Sequence, residues 1–189
     1  MRIVFLGAPG SGKGTQASTV KTALGLAHIS TGELLRAQVR AGTELGIAAK
    51  AVMDAGKLVS DPIVLGMLEA RLAEPDTVNG FILDGYPRNL AQAAALDQLL
   101  TRIAQPLDVA ILLNVPSELI IERLAGRAAE EGRKDDTPAT VRARLEIYQQ
   151  QTAPVIAFYR ERGKLVEVDG VGDLHAVSAR ILGSLQSLA

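Results

Sequence analysis

The sequence predicts a doubly wound α/β fold: a parallel five-stranded sheet flanked by helices, with a small helical insertion and a short exposed loop. Three observations lead there. Five short apolar runs rich in β-branched residues, at Arg2 to Leu6, Leu26 to Ile29, Phe81 to Leu83, Val109 to Leu113 and Leu165 to Val168, have the brevity and continuity of strands buried on both faces. Helical patterns separate them, and alternation of this kind builds a parallel sheet covered on both sides. The 189 residues are 48% hydrophobic and 22% charged, which is globular composition and enough chain for one good core.

The elements follow in order. After the first run comes a glycine-rich turn, then a helical pattern at Lys13 to Leu24. Further helical patterns are Glu33 to Ala41, Pro62 to Leu72, Leu90 to Arg102, Glu118 to Leu124, Thr140 to Arg162 and Leu174 to Leu188. Ser60-Asp61-Pro62 reads as a helix start, with a cap residue and proline in the first turn. Pro154 lies inside the long pattern and predicts a kink. Two stretches break the rhythm. Residues 30–59 hold several helical pieces with no strand between them. Residues 126–136 are glycine-flanked and charged, and read as an exposed loop. This leaves a core of 1–29, 60–125 and 137–189 with two appendages.

Composition excludes several classes of function. Lys and Arg number 20 against 21 Asp and Glu, for a net charge of −1, so no global basic field exists to hold nucleic acid or an anionic membrane. Aromatic residues are 3% with no Trp, which speaks against base-stacking platforms. There is no cysteine, hence no disulfide, thiolate zinc site or iron–sulfur cluster. The two histidines, His28 and His175, read as a satisfied core or edge residue in a strand and an exposed helix residue. The N-terminal apolar run is too short for a signal peptide, no stretch approaches the ~20 apolar residues of a membrane helix, and the expected setting is the cytoplasm.

The strongest local signal is Gly7-Ala8-Pro9-Gly10-Ser11-Gly12-Lys13-Gly14-Thr15, between a predicted strand and a predicted helix. It matches the G-x-x-x-x-G-K core of the phosphate-binding loop. Glycines let backbone N–H groups converge on phosphate oxygens, the helix N-terminus adds partial positive charge, and Lys13 supplies a full one. Gly14 stands where the general motif has Ser or Thr, and the hydroxyl comes one residue later at Thr15.

With its neighbours, this loop resembles that of the nucleoside monophosphate kinases, and of the adenylate kinase family most of all. Residues 7–16 are that family's loop variant. Ser30-Thr31-Gly32-Glu33-Leu34-Leu35-Arg36 is similar to its monophosphate-site helix, and Asp84-Gly85-Tyr86-Pro87-Arg88 to its Asp-Gly-Phe-Pro-Arg signature, with Tyr for the commoner Phe. Arg133-Lys134-Asp135-Asp136, Val141-Arg142-Ala143-Arg144-Leu145, Thr152-Ala153-Pro154 and Val168-Asp169-Gly170 resemble its later segments. The resemblance runs through nearly the whole chain. It implies a P-loop NTPase-type core, a monophosphate-binding region at 30–59 and a lid at 126–136. It also implies reversible transfer of the γ-phosphoryl group of Mg-ATP to AMP, giving two ADP, by a monomer. The lid is short and cysteine-free, so no zinc is expected there.

The arginines can also be read without the resemblance. Transfer between two phosphates needs no general base, because the acceptor is already ionised; catalysis is positioning plus cationic stabilisation. The chain offers 14 Arg against 6 Lys, and the planar guanidinium fork suits phosphate. Arg123 has no acidic residue three or four positions away, and Arg127 shares its face if the helix runs that far. Arg142 has Glu146 at i+4, a surface pair, whereas Arg144 has no acid at those spacings; Arg144 is therefore the expected phosphate contact. The candidate catalytic set is Lys13, Asp84, Arg88, Arg123, Arg133 and Arg144, with Asp84 at a strand end suited to act on Mg²⁺ through water and Thr15 as a further contact. Asp135 and Asp136 read as partners for Arg or Lys.

The resemblance places ATP on residues 10–15, Arg127 and Gly172. It places AMP on Thr31, Arg36, Lys57 to Val59, Gly85, Tyr86, Pro87, Arg88, Gln92, Arg133 and Arg144, with Gln92 pairing with adenine in donor–acceptor fashion. A UMP/CMP kinase, sharing an Asn after the signature Arg (here Asn89), is the alternative. A non-catalytic ATP-binding regulator is a third reading, which the acceptor-side arginines disfavour.

Overall fold

The structure, a computed structural model, describes residues 1–131 and 137–188. Its strands are β1 (Arg2–Leu6), β2 (Ala27–Ser30), β3 (Phe81–Asp84), β4 (Val109–Asn114) and β5 (Leu165–Asp169). They form one sheet in the order β2-β3-β1-β4-β5, parallel throughout. The helices are α1 (Lys13–Leu24), α2 (Thr31–Ala41), α3 (Glu44–Asp54), α4 (Asp61–Leu72), α5 (Leu90–Arg102), α6 (Ser117–Glu131), α7 (Pro138–Ile147), α8 (Ala153–Glu161) and α9 (Leu174–Gln186). None is long and apolar enough, among the described residues, to cross a membrane.

Side-chain alternation divides the core into two layers. Val4 and Leu6, Leu83, Ala110 and Leu112 face α4, α5 and α8, meeting Leu68, Ala93, Leu96, Val155 and Tyr159. Ile3 and Phe5, Ile82, Ile111 and Leu113 face α1 and α9, meeting Ala17, Val20, Val177, Ile181 and Leu185. Both faces of the central strands are therefore dry, which is why these runs are continuously apolar rather than alternating. The chain leaves β1 toward the β2 edge but leaves β3 toward β4 on the other side. The carboxyl ends of β1 and β3 thus form the switch point of the sheet, where α/β folds open a crevice. Register puts Phe5 beside Asp84 and Asp84 beside Ser30, so three strand ends meet there.

Three sequence expectations are corrected. Residues 126–131 are not loop: α6 continues to Glu131. Ala125, Arg127, Ala128, Ala129, Glu130 and Glu131 are good helix formers, and one glycine at 126 costs only about 1 kcal/mol against them. The pattern from Thr140 to Arg162 is not one helix. It opens earlier, at Pro138, capped by the Thr137 hydroxyl. A π-helical turn at Tyr148–Thr152 then divides it before α8, whose first turn takes Pro154. A proline has no N–H to continue the preceding ladder, and a widened turn absorbs the mismatch. Ser60 holds the N-cap position of α4 but its side chain makes no capping bond; Pro62 supplies the start signal instead.

Between β2 and β3 lie α2 and α3, the helical insertion foreseen at 30–59. Ser30 caps α2 by accepting from Glu33 N, and Thr43 caps α3 by accepting from Gly46 N. The two helices approach so closely at Gly46 that a Cβ there would stand 2.1 Å from the Gln38 carbonyl oxygen. Replacement Gly46→Ala is expected to lower unfolding free energy by about 1–3 kcal/mol, the usual cost of overpacking, in a urea titration; a variant as stable as the parent would show that the pair separates freely.

Candidate functional site

The cleft at the carboxyl ends of the strands has a volume of about 920 Å³. Its floor is the loop after β1. Gly7, Gly10 and Gly12 have φ of 144, 83 and 90°, and the loop feeds α1 with no side-chain cap and no acidic residue in the first turn. The helix therefore presents its positive end to the cleft. Lys13 Nζ donates to the Gly7 and Ala8 carbonyls at 2.7 and 2.8 Å, which holds the ammonium over the loop. Gly10, Ser11, Gly12, Gly14 and Thr15 line the same space.

A Cβ on Gly14 would lie 3.3 Å from Asp84 Oδ2, a tight contact that the carboxylate ending β3 would have to yield to by a few tenths of an ångström. Asp84 is buried to 14% side-chain exposure. Burial pushes its carboxyl up, but His28, Lys13 and Arg88 outweigh that and hold it below the usual carboxylate value. It remains an anionic oxygen donor at the rim of the loop, the right chemistry for a hard divalent cation. No group of three His, Asp or Glu that could cage a metal occurs among the described residues, so a cation held there needs further oxygens from a phosphate ligand and water.

Opposite the loop, three arginines from three elements share the cleft: Arg36 of α2, Arg88 after β3 and Arg144 of α7. Arg88 donates from Nε to the Gly85 carbonyl at 2.8 Å, and Arg36 pairs with Glu33 at 2.6 Å. Desolvation, with the charges of Arg144 and Arg36 acting in the same direction and Asp84 opposing them, lowers the Arg88 guanidinium to about 10. Arg123 of α6 reaches across from the other side and donates to the carbonyls of Ser11 and Gly170, both at 3.2 Å. Arg142 is exposed on α7 and does not line the cleft. Gly172 lines it near β5. Arg133 and the acids at 135 and 136 lie outside the described residues, as does the side chain of Arg127; α6 does run far enough to place Arg127 one turn beyond Arg123.

Beside the arginines lies a smaller recess of about 60 Å³, lined by Thr31, Arg36, Lys57, Leu58, Val59, Gly85, Tyr86, Arg88, Gln92 and Arg144 among others. Pro87 lines the main cleft instead. Thr31 donates its hydroxyl to the Gly85 carbonyl at 3.0 Å. Tyr86 is buried, its hydroxyl has no hydrogen-bond partner among the described residues, and burial, aided by the Asp61 charge, pushes its phenol up to about 12. Gln92 is 2% exposed. Its amide already accepts from Arg88 N and donates to Asp61, both at 2.7 Å.

The histidine reading is corrected here. His28 is not a satisfied core or edge residue: it lines the cleft, its Nε2 has no hydrogen-bond partner among the described residues, and that atom lies 3.8 Å from Asp84 Oδ2. The available signal was its place two residues before Ser30, on the same strand face, at the carboxyl end of a predicted strand. Thr152 and Tyr148 also line the cleft; Thr152 belongs to the Thr152-Ala153-Pro154 segment that carries the resemblance but was given no site role, and nothing in the sequence pointed to Tyr148.

A protein-family model described as adenylate kinase matches residues 5–164. The chain belongs to the adenylate kinase family. An adenylate kinase of Stenotrophomonas maltophilia (strain K279a) is 62% identical over 187 residues, covering 99% of this chain and 100% of the relative. One from Xanthomonas campestris pv. campestris (strain B100) is 63% identical over 181 residues, covering 96% and 97%, and one from Xylella fastidiosa (strain 9a5c) is 60% identical over 185 residues, covering 98% and 99%. Membership makes this chain an enzyme, a nucleotide-binding transferase with the loop and sheet described above.

The Asp84 environment has a pH consequence. A carboxyl held below its unfolded value of about 3.9 contributes stability that is present above that value and is lost as pH falls through the folded one. Asp84→Asn should therefore be less stable than the parent near neutrality, with the two denaturation midpoints converging below about pH 4. A constant difference across the acid range would mean that the charge of Asp84 is not what the fold uses.

Proposed function

We propose that the residues of this cleft carry the reaction of an adenylate kinase, reversible γ-phosphoryl transfer from ATP to AMP giving two ADP, in the following roles. The observation that carries the reading is the second cationic cluster. A protein that only bound ATP would need the loop; it would not need Arg36, Arg88 and Arg144 brought from three elements to the far side of the same cleft. Such a cluster fits a second phosphate group placed in line with the first.

In this reading ATP phosphates lie on the N–H groups of residues 10–15, with Lys13 and Arg123 over them, and Arg127 and Gly172 against the nucleoside. Arg36 and Arg88 hold the AMP phosphate, and Arg144 and Arg133 close on the phosphoryl group in transit. Thr31, Lys57, Leu58, Val59, Gly85, Tyr86, Pro87 and Gln92 surround the AMP nucleoside. The acceptor oxygen is already ionised, so no side chain has to remove a proton; the cations orient two mutually repelling anions and offset charge that moves between them. Asp84, ionised and close to the start of α1, and Thr15 suit a Mg²⁺ arriving with ATP, which supplies charge neutralisation at the β- and γ-phosphates. Residues 30–59 and 126–136 are read as the parts that close over the two nucleotides and exclude water, which otherwise competes as acceptor. The enzyme is read as a cytoplasmic monomer without zinc, working in adenylate homeostasis and nucleotide salvage.

The UMP/CMP alternative shares the arginines and differs at the base. A coupled ADP-release assay over AMP, CMP, UMP and GMP, with and without Mg²⁺, tests the reading: AMP should be preferred and turnover should require the cation, and preference for CMP would overturn the adenine assignment. In the same assay Arg88→Ala should lower kcat by roughly 10²–10⁵, the range for losing one transition-state cation; full turnover would remove Arg88 from the mechanism.

A further inference from the structure

The Gln92 side chain is an amide whose two ends differ only in which one donates, and its surroundings fix which way it faces. Nε2 donates to Asp61 Oδ1 at 2.7 Å, and Oε1 accepts from the Arg88 backbone N–H at 2.7 Å. A carboxylate only accepts and a backbone N–H only donates. Turned over, the amide would set oxygen against carboxylate and NH₂ against N–H, losing both bonds at a buried site. Asp61 is itself held, accepting from Asn89 Nδ2 at 3.3 and 3.4 Å, while Asn89 Oδ1 caps α5 by accepting from Gln92 N at 2.8 Å. Asp61 begins α4 and does not line the recess; Gln92 does. In its fixed orientation the amide of this lining residue keeps one N–H and one lone pair unused by those two bonds.

We propose that Asp61 is a positioning residue for base selection: by locking the Gln92 amide in one orientation it admits a base edge in which an exocyclic donor stands beside a ring acceptor, and rejects the reversed order. This rests on the reading that Gln92 meets the base of the acceptor nucleotide. Adenine presents the admitted order, an amino group beside a bare ring nitrogen. Hypoxanthine has the same purine shape and the reversed order, a carbonyl beside a ring N–H. With the acceptor phosphate anchored at Arg36 and Arg88, the base cannot turn over to compensate, so the amide would have to. Cytosine shares adenine's order, so Asp61 sorts bases by hydrogen-bond polarity, and ring size is left to the walls of the recess.

The test uses AMP and inosine monophosphate, each as acceptor and the second also as a competitive inhibitor against AMP, with the parent, Asp61→Asn, Asp61→Ala and Gln92→Leu. Asparagine at 61 can accept or donate, so it removes the carboxylate half of the lock and leaves only the Arg88 backbone N–H opposing the turned amide. The ratio of kcat/KM for AMP over inosine monophosphate should fall about tenfold in Asp61→Asn, roughly the discrimination of one hydrogen bond, through a tighter inosine monophosphate KM and with kcat for AMP retained. Asp61→Ala should move the ratio in the same direction. If both Asp61 variants keep the parent ratio, or lose activity equally on the two nucleotides, while Gln92→Leu collapses the ratio, the role of Asp61 is overturned and the base contact stands. If Gln92→Leu leaves the AMP KM unchanged, the base contact itself is wrong.

Discussion

The arrangement depends on a half-buried cation kept among like charges. Arg88 stands in the wall of the cleft, and desolvation first, then the charges of Arg144 and Arg36, lower its guanidinium to about 10. It stays charged at neutral pH, so the free protein carries an electrostatic cost that a phosphate dianion would offset. Such a group does not stay in place unaided, and three elements hold it. Its backbone N–H donates to Gln92 of α5, its carbonyl accepts from the Thr152 hydroxyl at 2.7 Å, and its Nε donates to Gly85. The π-helical turn at Tyr148–Thr152 gains a purpose from this, because Thr152 is its last residue. A regular α-helix through that stretch would rotate Thr152 to a different azimuth.

The two-layer core sets the frame in which these contacts meet. Alternate residues of β1, β3 and β4 are committed to opposite dry faces, so the strands cannot slip by one residue without exposing both layers. That rigidity fixes the relative height of Gly7, Thr31 and Gly85, each of which follows a strand end. The loop, the α2 start and the signature turn therefore arrive at one level, with Asp84 between them. Chemistry that needs two phosphates aligned to a fraction of an ångström is placed on the rigid sheet ends, and Arg36 and Arg144 approach from helices packed outside them.

The sheet was legible in the sequence almost residue by residue, because burial on both faces leaves continuous β-branched runs that few other environments tolerate. Lys13 to Leu24 and Leu90 to Arg102 were legible to their ends: in the first a glycine stands on either side, and in the second Asn89 caps the start. What was not legible came from tertiary contact. The extension of α6 depends on helix formers overriding a glycine that also marks loops. The π-helical turn precedes Pro154, which in the sequence announces a kink without saying that it takes the form of a widened turn. The cleft-facing position of His28 places it near Asp84, which is 56 positions away in the chain. Gly14 looked like a departure from the general loop motif; the structure shows the Asp84 carboxylate close to it. Of the candidate site, the residues in motifs could be named in advance. The contacts that orient them could not: Asp61 reads as an ordinary Asp at a helix start, and Thr152, although it belongs to a segment that carries the resemblance, gives no sign in the sequence of its bond to Arg88.

Net charge gives the least guidance of all the sequence quantities, and the structure shows why. A total of −1 is compatible with any distribution, and here the distribution is segregated. Arginines outside the cleft are matched with acids, as half-buried Arg2 with Asp108 and Arg71 with Asp76, and exposed Arg102 with Glu69 and Arg160 with Glu167; pairs at the surface contribute little to stability individually, but they cancel the far field. The cleft collects Lys13, Arg36, Arg88, Arg123 and Arg144 with Asp84 and Glu33 as the acids among them. The result is a protein that has little long-range attraction for polyanions and a strong local one for a small polyphosphate that fits inside. That separation suits an enzyme whose two substrates are small anions and whose surroundings contain much larger ones: selectivity is set by access and geometry in a low-dielectric cleft, where each cation acts over a few ångströms, and the surface stays electrostatically quiet.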